Sequence, residues 1–295
     1  MIGEVRSVRI GIYFKRFSRL AAEVALKVAE ECFKRNLNVY IERTLIEDGD
    51  PENRDIVDLM KRYSIGAFKL EVPEVDVIAV IGGDGTLLRV LHMLGDPRIP
   101  IMAIRMGRRG YLLDVTPIEI SERIEDLTKG RYRVIEYMRL AVREGEARYP
   151  PALNEVAVVS TGMGRSKVIR LKIYKDDKPL YFMEGDGVIV ATPIGSTAYS
   201  MAAGGPILDH NLKGFVITPL APVQTWLRPI VVDVNSKIRI EVAEDSPEAY
   251  AIIDGQFSTK LQPGRSLVVE KHPDPARVIR FHDIDNAYER LYMRH

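Results

Sequence analysis

Residues 77–89 constrain this chain most, because they combine an apolar run, a glycine-rich turn and a helical pattern. The run over residues 77–81 is typical of a strand in a parallel sheet that is covered on both faces. The helical pattern after the turn contains Leu87, Leu88 and Val90 on one side. In this arrangement, backbone N–H groups converge on an anion at a helix N-terminus. The sequence therefore predicts a phosphate-binding turn.

The turn holds three glycines and one carboxylate. We expect Gly82, Gly83 and Gly85 to let the main chain approach a phosphate, with φ angles that a Cβ would forbid. Asp84 would repel a phosphate unless it holds Mg²⁺ or accepts a proton from an attacking hydroxyl. The alternative is an ordinary strand–helix turn that Asp84 caps. The turn lacks GxxxxGK[ST] and GxGxxG, so it is neither a Walker loop nor the usual dinucleotide fingerprint.

Composition limits the classes of function. The chain has 295 residues, enough for two domains, and 42 basic against 41 acidic residues without a basic run, which argues against a nucleic-acid partner. No apolar run approaches the ~20 residues that cross a bilayer, so we expect no membrane partner. A single cysteine, Cys32, favours a reducing cytoplasm. Few Asn and Gln beside 28% charged residues indicate a thermophilic source, with amino-acid drift as the alternative.

The first part of the chain, residues 1–130, alternates strand and helix patterns. Helices are predicted after a Ser18 cap, after Asp50-Pro51, from Thr86 and after a Thr116–Glu119 capping box. Strands are predicted over residues 8–14, 38–42, 77–81 and 99–104. This alternation predicts an α/β domain with a parallel sheet, and ligands are expected at the carboxyl ends of its strands.

The period changes after Gly130, and strand patterns then dominate residues 131–282. This region predicts an all-β, sandwich-like domain. A helix over residues 283–295 is expected to pack back on the first domain. The predicted strands cover residues 134–143, 155–160, 168–175, 187–191, 237–242, 250–253 and 266–270.

The GGDGT segment resembles the signature of a superfamily that includes NAD kinases, lipid kinases and, more distantly, 6-phosphofructokinases. Three further segments are similar to the NAD kinase family in order and rough spacing: the pair Asn154-Glu155, the block over residues 184–200 containing GDG and TPIGSTAYS, and the proline-containing runs at 217–222 and 227–231. A late Asp254-Gly255-Gln256 turn also matches. Two positions depart from the family pattern, because Ile194 replaces a threonine and Val223 a histidine.

This resemblance implies a Mg²⁺-dependent phosphoryl transfer from ATP, or polyphosphate, to the adenosine 2′-hydroxyl of NAD, giving NADP. It implies Asp84 as general base and Gly82, Gly83, Gly85 and Arg89 as the donor-phosphate site. The metal ligands stay unassigned, and Arg89 could instead lie on a solvated helix face. Two rival functions remain open: a GGDGT-type kinase acting on a lipid or sugar, and a non-catalytic NAD(P)-binding regulator.

The resemblance also implies which residues bind NAD, with the asparagine of the Asn154-Glu155 pair on adenine and the carboxylate on a ribose diol. Lys167 is preferred over Arg165 as a basic contact, and Tyr111 could pack on the nucleotide. Self-association as a dimer or tetramer follows from the same resemblance, with the β domain as the interface. The full predicted set is Asp84, Gly85, Asn154, Glu155, Lys167, Glu184, Asp186, Thr197, Ala198, Tyr199, Ser200, Met201, Ala202, Ala221 and Gln256.

Overall fold

The computed structural model describes residues 8–47, 54–63, 65–107, 112–160 and 168–282. The chain forms two compact units, which divide between Glu136 and Tyr137 and again between Ala276 and Arg277. The second unit is therefore continuous in sequence, whereas the first unit takes both ends of the chain.

The first unit is built on a seven-stranded sheet in the order β3-β2-β1-β4-β5-β19-β6. The strands from β1 to β5 pair in parallel with their neighbours, and β19 pairs in parallel with β5. Its elements are β1 (Arg9–Phe14), α1 (Arg19–Phe33), β2 (Asn38–Glu42), α2 (Arg43–Glu47), α3 (Arg54–Arg62), β3 (Gly66–Phe68), β4 (Val77–Gly82), α4 (Asp84–Met93), β5 (Ile101–Arg105), α5 (Ile120–Thr128), β6 (Arg133–Tyr137) and β19 (Ala276–Arg280).

Strand order reverses in the middle of this sheet, since β1 leads through α1 to β2 on one side and β4 leads through α4 to β5 on the other. Open α/β sheets bind ligands at the carboxyl ends of the strands where such a reversal occurs. All six residues of β4 are buried, as expected for a central parallel strand. The turn from β4 into α4 therefore leaves the sheet where this topology binds ligands.

Helices α1 and α5 are joined by a hydrogen bond. The Ser18 hydroxyl caps α1 by accepting from the Ala21 amide at 3.4 Å, and Cys32 on the same helix is fully buried. The Glu31 carboxylate of α1 accepts a hydrogen bond of 2.7 Å from the Ser121 hydroxyl of α5. Because the bond between Ser121 and Glu31 spans 90 residues of sequence, it helps to fix α5 against α1.

The second unit contains two six-stranded antiparallel sheets, ordered β11-β10-β15-β18-β7-β8 and β14-β13-β12-β9-β16-β17. Buried side chains of both sheets, such as Leu171 and Val156, belong to one apolar core, so the unit is a β-sandwich. Its strands are β7 (Leu140–Glu144), β8 (Ala147–Ala152), β9 (Glu155–Ser160), β10 (Ile169–Lys175), β11 (Lys178–Gly185), β12 (Gly187–Ala191), β13 (Gly214–Leu220), β14 (Ile230–Asp233), β15 (Ile238–Val242), β16 (Ala249–Ile253), β17 (Phe257–Leu261) and β18 (Ser266–Lys271).

The predicted fold class, an α/β domain with a parallel sheet plus an all-β sandwich, is confirmed. The single strand predicted over residues 134–143 is wrong, because the chain leaves the first sheet after β6 and enters the sandwich with β7. Seven strands were not predicted: β3, β8, β11, β13, β14, β17 and β19. The Asp50-Pro51 helix start and the helix over 283–295 lie outside the described residues, although α3 follows the former. Across the described part of the chain, no helix is both long and apolar enough to cross a membrane.

Candidate active site

The turn between β4 and α4 has a well-defined hydrogen-bond pattern. Gly83 is the N-cap, with φ −119° and ψ −176°, and Asp84 is the first helical residue. The Thr86 hydroxyl accepts from the Gly83 amide at 3.4 Å, while the Thr86 amide donates to the Gly83 carbonyl at 2.9 Å. Thr86 therefore takes the side-chain part of the cap. Asp84 is the first helical residue rather than the N-cap that the alternative prediction made it.

The glycines of this turn provide space rather than unusual backbone angles. None of Gly82, Gly83 and Gly85 has a positive φ, so the expectation of forbidden angles is wrong. The reason is that Gly82 is still part of the extended strand β4, in register with Arg105, and Gly85 is already helical. A Cβ on Gly82 would lie 2.3 Å from the Thr86 hydroxyl oxygen, whereas a Cβ on Gly83 would meet no atom of the described residues within 4 Å. Gly82 thus admits Thr86, and Gly83 leaves the helix N-terminus open.

Two charged side chains of α4 lie near the carboxyl edge of the sheet. Asp84 is half-buried, and its Oδ1 accepts from the Leu112 amide at 3.4 Å. Arg89 is exposed. Burial raises the pKa of the Tyr13 hydroxyl, and the positive charges of Arg89 and Arg16 oppose that shift. Arg89 therefore acts electrostatically on the end of β1, in the same unit as Asp84.

The Glu155 carboxylate of the second unit lies in a poorly solvated position. Glu155 is 9% exposed, and its Oε2 has no hydrogen-bond partner among the described residues. Burial first, and then the negative charge of Asp254, raise the pKa of Glu155 to about 7, while a hydrogen bond from the Tyr199 amide opposes the shift. A buried polar atom without a partner is uncommon in native proteins and suggests a ligand that supplies hydrogen bonds.

The TPIGSTAYS block folds back on β9 and uses its hydroxyl groups internally. Ser196 donates to the Pro193 carbonyl at 2.6 Å, and Thr197 donates to the Ile194 carbonyl at 2.9 Å. Ser200 is fully buried, and its hydroxyl pairs with that of Thr218 at 2.8 Å. The Thr197 and Ser200 hydroxyls could bond to NAD only in addition to these internal hydrogen bonds. Their predicted contacts with NAD stay predictions.

Several neighbours in this block are open to solvent. Tyr199 and Met201 are 45% and 39% exposed, Ala202 is exposed and Ala198 half-buried. Ile194, where the family pattern has threonine, is 5% exposed and packs in the interior. An apolar side chain suits this buried position. Isoleucine in place of threonine therefore removes a hydroxyl but still fills the space.

Within one chain, the structure does not bring all the predicted NAD contacts together. Asn154, Glu155 and the Tyr199 amide meet where β9 begins and β12 ends, and Gln256 lies in the adjacent β16–β17 turn. Glu184, Asp186 and Ala221 lie at the other end of β12, as the bond from the Asp186 amide to the Leu220 carbonyl shows. Residues 186 and 192 flank β12, which separates the two groups by about 20 Å at roughly 3.3 Å per residue.

Glu184, Asp186 and Ala221, at the far end of β12 from the Asn154-Glu155 pair, have local surroundings of their own. Glu184 pairs with Arg170 at 3.0 Å, and its carbonyl accepts from the Val223 amide. Ala221 has φ +41° and is exposed. Lys167 and Tyr111 lie outside the described residues, so their predicted roles have no structural account.

Sequence reasoning missed two residues that contact the Asn154-Glu155 pair. The Asp254 carboxylate accepts from the Asn154 amide, and the Thr192 amide donates to the Asn154 carbonyl. In the sequence, Asp254 stands in the Asp-Gly-Gln turn and Thr192 in the TPIGSTAYS block. The available signal was the Asp-Gly pair in a hairpin turn, since such an aspartate often bonds to nearby backbone. Among the described residues, no group of three or more His, Cys, Asp or Glu side chains could hold a metal ion.

Comparisons with known proteins identify the family. The profile described as ATP-NAD kinase N-terminal domain matches residues 10–132, and that described as ATP-NAD kinase C-terminal domain matches residues 153–281. The NAD kinase of Aeropyrum pernix is 37% identical over 97% of this chain and 97% of its own length. That of Thermococcus kodakarensis is 41% identical over 72% of this chain and 76% of its own length.

Comparison with solved structures also finds kinases of NAD and NADH. An NAD kinase from Archaeoglobus fulgidus, solved in complex with ATP, superposes with a TM-score of 0.68 at 26% identity, covering 97% of this chain and 98% of that chain. Yeast NADH kinase complexed with NADH has a TM-score of 0.83 at 20% identity, covering 97% of this chain and 86% of that chain, which shows the shared fold. The chain belongs to the NAD kinase family, a group of phosphotransferases that use an alcohol group as acceptor.

Proposed function

We propose that this NAD kinase transfers the γ-phosphoryl group of ATP to the adenosine 2′-hydroxyl of NAD in a Mg²⁺-dependent reaction. The observation that carries the assignment of the NAD site is Glu155, whose buried Oε2 lacks a partner among the described residues. A carboxylate can accept from two hydroxyls at once, and the adjacent Asn154 amide can both donate to and accept from an adenine edge. An adenosine group fits both side chains.

The chemical step needs a base, because an alcohol is a poor nucleophile while it keeps its proton. In this proposal the Asp84 carboxylate accepts the 2′-hydroxyl proton as the oxygen attacks the γ-phosphorus, and ADP leaves with the bonding electrons. The open N-terminus of α4 at Gly83 and the charge of Arg89 stabilise the donor phosphates. Most of the rate enhancement then comes from positioning and charge neutralisation.

The residues of the β4–α4 turn are compatible with a magnesium ion that is held mainly by the phosphates of ATP. Mg²⁺ in phosphoryl-transfer sites is commonly bound through one or two carboxylates together with substrate phosphates and waters. Asp84 is the proton acceptor in this proposal, so donor phosphates and waters would supply the ligands of the ion. The ion would neutralise phosphate charge, and the protein itself would contribute few ligands.

We further propose that the enzyme works as a dimer or tetramer. The separation of Glu184, Asp186 and Ala221 from the Asn154-Glu155 pair supports this, because a second copy could bring the missing group to each site. The test mixes Asp84→Asn chains with Asp186→Asn chains, each impaired alone. Regained activity in mixed oligomers supports a shared site, and no regain in verified hetero-oligomers contradicts it.

The donor and acceptor are tested directly by incubating the protein with NAD, Mg²⁺ and ATP, other nucleoside triphosphates or polyphosphate in turn. We expect NADP with ATP, in line with the Archaeoglobus fulgidus relative solved with ATP. Omitting Mg²⁺ and adding EDTA should abolish product. A lipid or sugar kinase would form no NADP, and a non-catalytic regulator would bind NAD without turnover. A cytoplasmic location remains a prediction.

A further inference from the structure

Two residues hold the backbone around the Asn154-Glu155 pair. Leu153, Asn154 and Glu155 have three amides and three carbonyls, and all six bond to just two residues, Asp254 and Thr192. Neither partner is among the predicted NAD contacts. We call Asp254 and Thr192 the clamp.

Asp254 holds the amide side of the segment. Its Oδ2 accepts from the Leu153 amide at 2.7 Å, and its Oδ1 accepts from the Asn154 and Glu155 amides at 2.8 and 3.0 Å. The Asp254 amide in turn donates to the Glu155 carbonyl at 3.0 Å. Four of the six bonds therefore depend on one residue.

Several features keep Asp254 in place. It is 5% exposed and has φ +50°, followed by Gly255 at φ +64°, and the Gln256 amide donates to the Ile253 carbonyl at 2.9 Å. Two successive positive φ angles are typical of a type I′ hairpin turn. Burial lowers the pKa of the Arg139 guanidinium, and the charges of Asp274 and Asp254 oppose that shift, so a buried cation acts on this carboxylate.

Thr192 holds the carbonyl side. Its hydroxyl donates to the Leu153 carbonyl at 2.6 Å, and its amide donates to the Asn154 carbonyl at 2.9 Å. A Cβ on Gly195 would lie 1.9 Å from the Asn154 carbonyl oxygen, so only glycine allows this close approach. Thr192 is fully buried. The segment is thus fixed from both sides.

We propose that Asp254 and Thr192 are positioning residues for NAD: they fix the backbone of residues 153–155 and so aim the Asn154 amide and the Glu155 carboxylate at the adenosine. This inference rests on the proposed function, and it adds residues that never touch the ligand. A displacement of a positioned group by about 1 Å can reduce the rate of a reaction by about 100-fold.

A purely structural role makes different predictions. If the clamp served stability alone, its loss would lower the unfolding temperature without a selective effect on NAD. As a positioning device it acts through Glu155 and Asn154, so its loss should raise the Kd for NAD selectively. The negative charge of Asp254 also acts on Glu155, so its removal should shift the pH dependence of NAD binding to lower pH.

The experiment compares Asp254→Asn and Thr192→Val with a matched control, Asp176→Asn, in the full-length protein. Asp176 also has a positive φ, +52°, in the β10–β11 hairpin turn, and its Oδ1 accepts from the Lys237 amide at 2.9 Å. The control therefore removes the same charge from the same kind of turn. Calorimetry measures the Kd for NAD at several pH values, steady-state kinetics separate the KM for NAD from that for ATP, and thermal unfolding reports stability.

We expect at least about a tenfold rise in the Kd for NAD for Asp254→Asn and Thr192→Val, with a smaller change in the KM for ATP. Asp176→Asn should bind NAD as the unmodified protein does. In a double-mutant cycle, Asp254→Asn and Glu155→Gln should combine to less than the product of their separate effects, because one acts through the other.

The inference is overturned if Asp254→Asn binds NAD within about twofold of the unmodified protein, or if its effect multiplies independently with that of Glu155→Gln. Should Asp254→Asn fail to fold, Thr192→Val decides alone, and an unchanged Kd for NAD contradicts the proposal. If the unmodified protein binds no NAD, the proposed function fails instead, which separates the two failures.

Discussion

Replacing Glu155 by glutamine should stabilise this protein at high pH while weakening its binding of NAD. The structure holds the pKa of Glu155 at about 7, against an ordinary value of 4.5, through burial and the charge of Asp254. A carboxyl group whose pKa is raised on folding favours the native state below pH 4.5. This contribution to the free energy of unfolding is lost as the pH rises from 4.5 through 7. Above pH 7 the carboxylate is ionised in the native state, where burial and the charge of Asp254 make ionisation unfavourable.

The size of the effect follows from the shift. A rise from 4.5 to about 7 corresponds to about 3 kcal/mol at 1.36 kcal/mol per pH unit, as an upper bound. Linkage places most of it between pH 5 and pH 8, where the free energy of unfolding of the unmodified protein should fall by about 2 kcal/mol relative to Glu155→Gln. The same substitution should weaken NAD binding by about 1–3 kcal/mol, since it removes an ionised acceptor.

The assay is urea or guanidinium unfolding of both proteins at pH 5 and pH 8, with calorimetry of NAD binding at pH 8. Glu31→Gln is a control that should change the stability in the opposite direction. Hydrogen bonds from Lys34, then Ser121 and Arg35, lower the pKa of Glu31 to about 2. That contribution is present above pH 4.5 and is lost as the pH falls towards 2, so Glu31→Gln should destabilise at pH 8. A stability difference for Glu155→Gln that is zero at pH 8, or constant with pH, refutes the reasoning.

Three further predictions concern the β4–α4 turn and Glu155. Asp84→Asn should abolish turnover while NAD binding stays within about tenfold, and a near-normal kcat would remove the general-base role. Gly82→Ala should lower the unfolding temperature, because its Cβ would lie 2.3 Å from Oγ1 and 2.6 Å from Cβ of Thr86, whereas Gly83→Ala should fold normally; equal unfolding temperatures would contradict this account of the glycines. The affinity for NAD should decrease as the pH falls through about 7, where Glu155 becomes protonated, and calorimetry showing a flat profile from pH 6 to pH 8 would separate Glu155 from binding.

The local features of the site were accessible from the sequence because they depend on neighbours in the chain. The β4–α4 turn follows an apolar run and precedes a helical pattern, so its position at a strand end could be predicted. The role of its glycines could not, because it depends on where the Thr86 side chain lies. Only coordinates distinguish a glycine that needs a positive φ from one that makes room for a neighbour.

The long-range features were not accessible. Asp254 bonds to the Leu153 amide across 101 residues, and no spacing rule links a hairpin turn to a strand that distant. Strand β8 was missed because it carries Pro150 and Pro151, residues that usually argue against a strand, although its place at the sheet edge tolerates them. The division of the predicted NAD contacts between the two ends of β12 likewise required the register of the sandwich.

The central claim is that the acceptor is the adenosine 2′-hydroxyl of NAD. The most direct test uses 2′-deoxyadenosine NAD, which keeps adenine, pyrophosphate and nicotinamide but lacks the oxygen to be phosphorylated. With ATP and Mg²⁺ present, the analogue should inhibit NADP formation from NAD in competition with NAD, and it should yield no phosphorylated product. A lipid or sugar kinase would be indifferent to it. If the analogue in large excess does not inhibit, or if it is itself phosphorylated, the proposed site or the proposed acceptor hydroxyl is wrong.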